Sequence, residues 1–553
     1  MRYLLYIILL IGVAVRFVGL GVNPVGLVDD EADAAYDAYS IIQTGKDQWG
    51  ISFPITSFRG FGDYRLPIYT YLSVLPVAVF GPTPFAVRLP SAIFGSLTIL
   101  IVYYLTRELF RHFSEVLPLL SAFFLAISPW HIGMSRIGLE HTTSVFLVSA
   151  GLYALLKGRR SIRWLFAGGV LFALSLYTYT PNILLVPFLL AVTLYLFRIE
   201  YRNFRINILF TLCLFVFLSL PIIFTQGTST AATRTRQVNF TNDVGIINTV
   251  NEKRGSCVAL LPHSACRLVF NKYSAFGTKL ISNYLNHFSP SFLSVYGTST
   301  QYSILPGRGL LYMLDYGLLV IGLIAALIHP TPGIMLILAF LFFSAVPDSL
   351  TSDGQFARFF VSYPTWPILS AFAVMFIAKK FKNFRVPIAV LVAAYCFFFI
   401  SFFVEYWTFF PYRYSQYSHF GYEELIQKIQ EYSNSYDRIV LSSRVNDAKQ
   451  YIYYLFYARY DPKTFQSGKG IEKIIEPNGW VRVKRINTVE FLPSLPGRDE
   501  IVNKHILLIG APEEFPKYIP KVLPEKSIPH EFTVKDKAGN ILFVGVDSFK
   551  LYL

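Results

Sequence analysis

The chain opens on an almost unbroken apolar run, "YLLYIILLIGVAV", and comparable runs recur through its first three quarters. Runs of about 17 to 25 apolar residues are long enough to cross a bilayer's hydrocarbon core as helices. They fall near residues 3–20, 86–106, 116–133, 141–157, 164–180, 182–198, 206–225, 310–328, 331–347, 359–378 and 386–407, which predicts about eleven spans. If the spans alternate, the basic clusters "TRELFRH", "KGRRSIR", "FRIEYRNFR" and "KKFKNFR" all lie on one side. Short cytoplasmic loops accumulate Lys and Arg, so Met1 is expected in the cytoplasm. The first run has no small-residue cleavage site and continues into "GLGVNP", so it reads as an uncleaved anchor.

This topology sends three large stretches outward: a first loop at 21–85, a second at 226–309, and everything after 410. The tail changes character. "YEELIQKIQEYSNSYDRIVLSS" joins a helical period to a β-branched run, and "KHILLIGAP" and "NILFVGVDSF" are further strand-like runs. The expected architecture is a polytopic α-helical membrane domain over 1–410 and an extracytoplasmic soluble α/β domain over 411–553.

Composition agrees: 54% of the 553 residues are hydrophobic, only 15% are charged, and the mean hydropathy is +0.46, which excludes an ordinary soluble domain. The net charge of +15 sits largely in short clusters between apolar runs. That is a topology signal rather than a nucleic-acid groove, and no nucleic-acid partner is expected. Cys257 and Cys266 share the second outward loop, where an oxidising compartment would let them form a disulfide; two unpaired thiols are the alternative. A zinc site there would have only His263 nearby and no CxxC pair. "NFT" at 239–241 matches a glycosylation acceptor, a three-residue pattern that recurs by chance.

The chemistry concentrates in "VDDEADAAYD", residues 28–37, where five carboxylates follow the first span. The "DEAD" within it is not a helicase motif, because no phosphate-binding glycine loop precedes it. The bland reading is a helix through "EADAAYDAYSIIQ" capped by Asp29 or Asp30, worth about 1 kcal/mol. Capping uses one or two acids and leaves the rest unexplained. On such a helix Asp30, Asp33 and Asp37 share a face while Glu31 points elsewhere.

The loop continues through "SIIQTGKDQWG", "GFGDYRLPIYTYL" and "FAVRLPSAIFGSLT". An Asp-Glu pair after the first span, a "TG.D..G" segment, a basic residue followed by Pro and aromatics, and this opening of the next span resemble the GT-C glycosyltransferases. The likeness is greatest to the protein O-mannosyltransferases and lipid A aminoarabinose transferases. It is strong over about residues 1–200, weaker through "SDGQFARFFVSYP" and "YYLFYARYDPKTFQ", and absent from 226–309.

The resemblance implies an integral-membrane enzyme of a prokaryotic cell membrane. It would take a sugar from a polyprenyl-phosphate carrier and attach it to a protein, glycan or lipid acceptor on the outer face. The family's base maps to Asp30, with Glu31 as its supporting neighbour and Asp29 as the register alternative. Arg65, Arg136 and Arg358 map near the donor phosphate, and Asp29, Asp63, Tyr64 and Glu140 are candidate substrate contacts. The family more often has Asp where Glu140 stands.

The residue types suit that chemistry, since a single displacement at an anomeric carbon needs one base and cationic groups for the departing phosphate, and inverts the centre. Each Arg also has a bland reading, as an interfacial or snorkelling side chain. No cofactor is required. A divalent metal stays open through His131, His141 and Glu140, against solvated interfacial histidines. No Asp-x-Asp pair exists to hold a nucleotide diphosphate through a metal. Asp33 and Asp37 are expected on the polar face of an interfacial helix. A transporter or flippase is the competing class, but it should carry mid-span charges and related halves. A scaffold or sensor built on the tail is the third reading, and it would leave the first-loop acids replaceable.

Overall fold

A computed structural model describes residues 2–62, 64–227, 244–297, 307–351, 356–379, 385–413, 415, 419–443, 449–476, 480–515 and 530–551. All eleven apolar stretches carry helix. Among the described residues four helical segments, Pro84–Leu109, Arg202–Gln226, Pro332–Ser349 and Arg385–Thr408, are long and apolar enough to cross a membrane, and six apolar helices are shorter. The run at 116–133 is broken at Ser128, whose ψ of 129° is extended, and a new helix starts at Pro129. Proline disfavours helical geometry in the residue before it and suits a first helical position itself. One apolar helix, Pro67–Phe80, lies inside the expected first loop. At 14 residues it is too short to register as a span.

The chain divides into two compact units. The first takes residues 1–16, 93–135 and 140–400 and is helical. Its buried Arg16 donates to the carbonyls of Gly12, Leu125 and Ala126, so the charge is satisfied by backbone dipoles. The expected second loop is helical over Val244–Val258, His263–Val269 and Lys272–Asn286, and Cys257 is joined to Cys266 by a disulfide. Asn239 and its acceptor motif lie outside the described residues.

The second unit takes residues 17–92, 136–139 and 401–553. After a two-stranded hairpin, β1 (Phe58–Arg59) and β2 (Tyr64–Arg65), it builds a seven-stranded sheet. The strands are β3 (Arg438–Ser442), β4 (Ile471–Ile475), β5 (Val481–Ile486), β6 (Val489–Leu492), β7 (Ile506–Gly510), β8 (Phe532–Lys535) and β9 (Ile541–Asp547), in the order β4-β5-β6-β3-β7-β9-β8. The central β3 is parallel to both β6 and β7, while the flanking pairs are antiparallel. Parallel strands are covered on both faces, and β3 reads accordingly as the continuous apolar run "IVL". Ile439 and Leu441 point into a core shared with helices Tyr422–Tyr432 and Gln450–Tyr457 and with Ala32, Ala35 and Tyr36 of the first loop. Val440 faces the opposite core with Leu508 and Val546.

Leu441 is fully buried between Phe491 and Ile509 in the strand register. Truncation by Leu441→Ala should cost about 2–5 kcal/mol against about 0.5–1.5 for Ile439→Val. The ranking is checked by thermal denaturation of the purified full-length protein.

Candidate active site

Asp29–Thr44 forms one helix, and its start explains the acids. Valine at position 28 offers no side-chain cap, so Glu31 reaches back and accepts the Val28 N–H through Oε2 (3.1 Å). Three carboxylates in the first turn favour the helix dipole. Gly45, at a φ of 69°, closes the other end, its N–H donating to Ile41 O (2.9 Å). Eleven of the sixteen residues are buried, including Asp29, Glu31, Asp33 and Asp37, so this helix lies inside the unit.

Glu31 is fully engaged. Besides Val28 it accepts from Gly138 N–H (2.6 Å) and from Arg88 Nε (2.9 Å) and Nη2 (3.3 Å). Arg88 is 1% exposed, and its other donors hold the carbonyls of Leu20 (3.2 Å), Pro24 (2.8 Å) and Gly26 (2.5 Å). A Cβ on residue 138 would lie 3.0 Å from Glu31 Oε1 and 3.0 Å from Val87 O, so any larger residue would push against this contact. Glu31 therefore positions the start of the helix.

Asp29 is buried and ion-paired with Lys449, whose ammonium also lies over the rings of Phe61 (4.7 Å) and Trp480 (5.7 Å). Burial and the adjacent Asp30 raise the Asp29 pKa above its ordinary 3.8, against the pull of Lys449. Asp30 is half-buried, the most exposed acid of residues 28–37, and its N–H donates to Asp29 Oδ1 (3.1 Å).

Asp33 and Asp37 are not on a solvated polar face. Both are completely buried and share Nη2 of Arg65, at 2.6 Å each. Gln48 donates its side-chain amide to Asp33 (2.6 Å) and its backbone N–H to Asp37 (3.0 Å). Burial first and the like charge of Asp33 second push the Asp37 pKa well up, against Arg65; burial also raises Asp47, which accepts from the N–H groups of Trp49 and Ile51. The expectation of solvated acids failed because the counter-charge lies 28 residues away, on β2.

The other sequence candidates fall as follows. Tyr64 is half-buried and pairs with Arg59 across the hairpin. Asp63 lies outside the described residues. Arg136 is fully buried: it donates to Tyr406 Oη (3.1 Å), Val18 O (2.8 Å) and Asn23 O (2.7 Å) and stacks on Tyr406 and Trp407. Arg358 and Glu140 belong to the first unit. There Arg358 pairs with Asp348 (3.1 Å) and donates to Thr351 (2.9 Å), and Glu140 precedes the helix His141–Lys157. His131 approaches Arg16 (2.9 Å), and His141 meets the Tyr179 ring edge-on (4.8 Å between centroids). Among the described residues no group of three or more His, Cys, Asp or Glu side chains is placed to hold a metal ion.

Sequence reasoning missed Arg88, Lys449, Gln48 and Arg59. The guanidinium of Arg59 lies 5.9 Å over the Trp49 ring and makes no ion pair among the described residues. The signal for Arg88 was available: a charge inside the apolar "FAVRLPSAIFGSLT" needs a buried partner.

Residues 65–224 match the model of the dolichyl-phosphate-mannose-protein mannosyltransferase family. No curated protein matches the sequence. Among solved structures, ArnT from Cupriavidus metallidurans bound to undecaprenyl phosphate is similar at 13% identity, with a TM-score of 0.51 over 98% of this chain and 97% of that one. The archaeal oligosaccharyltransferase AglB from Archaeoglobus fulgidus, in complex with an inhibitory peptide and a dolichol-phosphate, is similar at 16% identity and a TM-score of 0.50, over 83% of this chain. The chain spans 63% of that protein's length. The same oligosaccharyltransferase tethered to an acceptor peptide gives a TM-score of 0.52 at 16% identity, over 83% of this chain and 63% of that one.

Glu31→Gln leaves Arg88 buried without a counter-charge and should destabilise the protein by about 3–5 kcal/mol, read as a large drop in thermal midpoint. Because the folded pKa of Asp37 is raised, the folded state binds more protons than the unfolded one above pH 3.8. Stability should therefore fall as pH rises through that window, and Asp37→Asn should flatten the fall, measured as thermal midpoint against pH.

Proposed function

We propose that this chain, whose fold is that of the GT-C glycosyltransferases, is itself a glycosyltransferase that draws its sugar from a polyprenyl-phosphate donor. The observation that carries the reading is the division of labour in the first turn of the Asp29–Thr44 helix. Glu31 is saturated with donors and Asp29 is tied to Lys449, while Asp30 keeps partial exposure on the same rigid turn.

Asp30 accepts the proton of the acceptor nucleophile as that atom bonds to the anomeric carbon. The bond from that carbon to the carrier phosphate breaks, and the phosphate leaves with its electron pair. One base and one displacement invert the centre. Glu31 and Asp29 hold the turn and are positioning residues. Arg65 and Arg59 are the proposed cations for the leaving phosphate, since Arg is suited to bidentate oxyanion contacts. Arg59 is the better placed to bind an added anion, because Arg65 already serves two carboxylates. Arg136 and Arg358, both held by protein groups, are assigned supporting roles.

The lipid donor is supported by the dolichol-phosphate and undecaprenyl phosphate bound in the similar structures. A protein acceptor is supported by the peptide bound to the oligosaccharyltransferase, and glycan and lipid acceptors remain the other proposals. Reaction on the outer face of the membrane is supported by the basic clusters between apolar runs. A divalent metal is not required by this chemistry.

Asp30→Asn should lower turnover about 10²- to 10⁴-fold with a purified polyprenyl-phosphate-sugar donor, with expression and thermal midpoint unchanged. Full activity in that variant overturns the assignment, and loss confined to Asp29→Asn moves the base by one residue.

A further inference from the structure

The connection "FRIEYRNFR" between helices Asn182–Leu196 and Arg205–Gly227 carries three arginines within eight residues, Arg198, Arg202 and Arg205. Arg198, Arg202 and Arg205 line an open cavity of about 460 Å³, together with Leu194, Ile199 and Ile208. That volume is within the range that holds a small organic ligand. The only acid between residues 194 and 208 is Glu200, and it is bound to Arg159 (2.9 Å), which also holds Glu108 (2.8 Å). None of the three lining arginines makes an ion pair among the described residues, and all three are exposed. The turn between them is pegged, because Tyr201 is 2% exposed and its hydroxyl donates to Leu155 O (2.5 Å). Arg198 lies over the Tyr195 ring at 4.7 Å.

The surroundings decide what kind of anion fits. Ile199 is 73% exposed, Ile206 66% and Leu209 59%, and the apolar window within Arg202–Gln226 is only 22% buried by the protein. A soluble phosphate gains nothing from that rim. A lipid phosphate places its charge among the guanidinium groups and its chains along the exposed apolar residues. We propose that this cavity is a binding site for the anionic phosphate headgroup of a membrane lipid. It is separate from the acids of the second unit and does not rest on the proposed transfer reaction.

Three basic groups at a membrane surface together strengthen anionic-lipid binding on the order of 100-fold. The test uses the purified full-length protein in neutral detergent, with phosphatidylglycerol, phosphatidylcholine or inorganic phosphate added, and reads bound lipid by native mass spectrometry and the shift in thermal midpoint. Phosphatidylglycerol should bind on the order of 100-fold tighter than phosphatidylcholine, and raised salt should weaken it. The triple variant Arg198→Gln, Arg202→Gln, Arg205→Gln should lose that preference. The corresponding triple Arg→Lys variant keeps the charge and should retain most of it, which separates lost binding from lost folding. A preference unchanged by the Gln substitutions overturns the site, and inorganic phosphate acting as strongly as phosphatidylglycerol overturns the lipid as its source.

Discussion

The second unit depends on one buried ion pair, Glu31 with Arg88. Each is 1% exposed, so either charge alone would be very costly there. Together they are saturated. Glu31 closes the start of its own helix and takes the Gly138 N–H, and Arg88 gathers three carbonyls of the turn at 20–26. One contact thus fixes the turn after the first apolar run, the acidic helix and the short segment 136–139. This explains why Glu31, the last acid of "DDE", is unavailable for chemistry while Asp30 before it keeps partial exposure.

The second charge cluster obeys a harsher constraint. Asp33 and Asp37 share one arginine, Arg65, and the buried Asp47 lies near enough for its charge to act on Asp37. Three carboxylates and one guanidinium cannot all be ionised in a dry interior without strong repulsion, which is why burial and mutual charge raise Asp37. Backbone N–H groups and Gln48 supply part of the compensation. The cluster ties β2 and the 47–51 turn to the acidic helix, so the hairpin carrying Arg59 and Arg65 is anchored rather than free.

Local signals were legible and long-range partners were not. Apolar runs located the four helical segments long enough to cross a membrane, and the β-branched runs of the tail located β3, β7 and β9, because period and propensity are properties of neighbouring residues. A helix through these acids was also readable, but the cap expected at Asp29 or Asp30 falls at Val28, and both acids lie inside the first turn. The fates of those acids were not readable. Lys449 reaches Asp29 across 420 positions, and Arg65 reaches Asp37 across 28. A face count on an isolated helix cannot distinguish a solvated acid from one whose cation arrives from another strand. The helix Pro67–Phe80 escaped notice because its 14 residues fall short of a span and lie within a stretch expected as loop.

The tail is bound into the same core as the acids. Ala32, Ala35 and Tyr36 share buried contacts with Ile439, Leu441, Tyr451 and Ile452, and the small alanines let the helix backbone come close. Polar ties run beside them: Tyr36 Oη donates to Tyr460 O (2.9 Å), Tyr453 Oη to Leu27 O (3.0 Å), and the Gln466 side chain to Ser40 (2.9 Å), Thr44 (3.0 Å) and Asp47 O (2.9 Å). Separating tail from first loop would expose both an apolar interface and these donors, and would leave the Asp29 carboxylate without Lys449. The orientation of the acidic turn is therefore set as much by residues after 430 as by the loop that contains it. Any ligand that engaged the tail would therefore act on the same packed body that holds the Asp29–Thr44 helix in place.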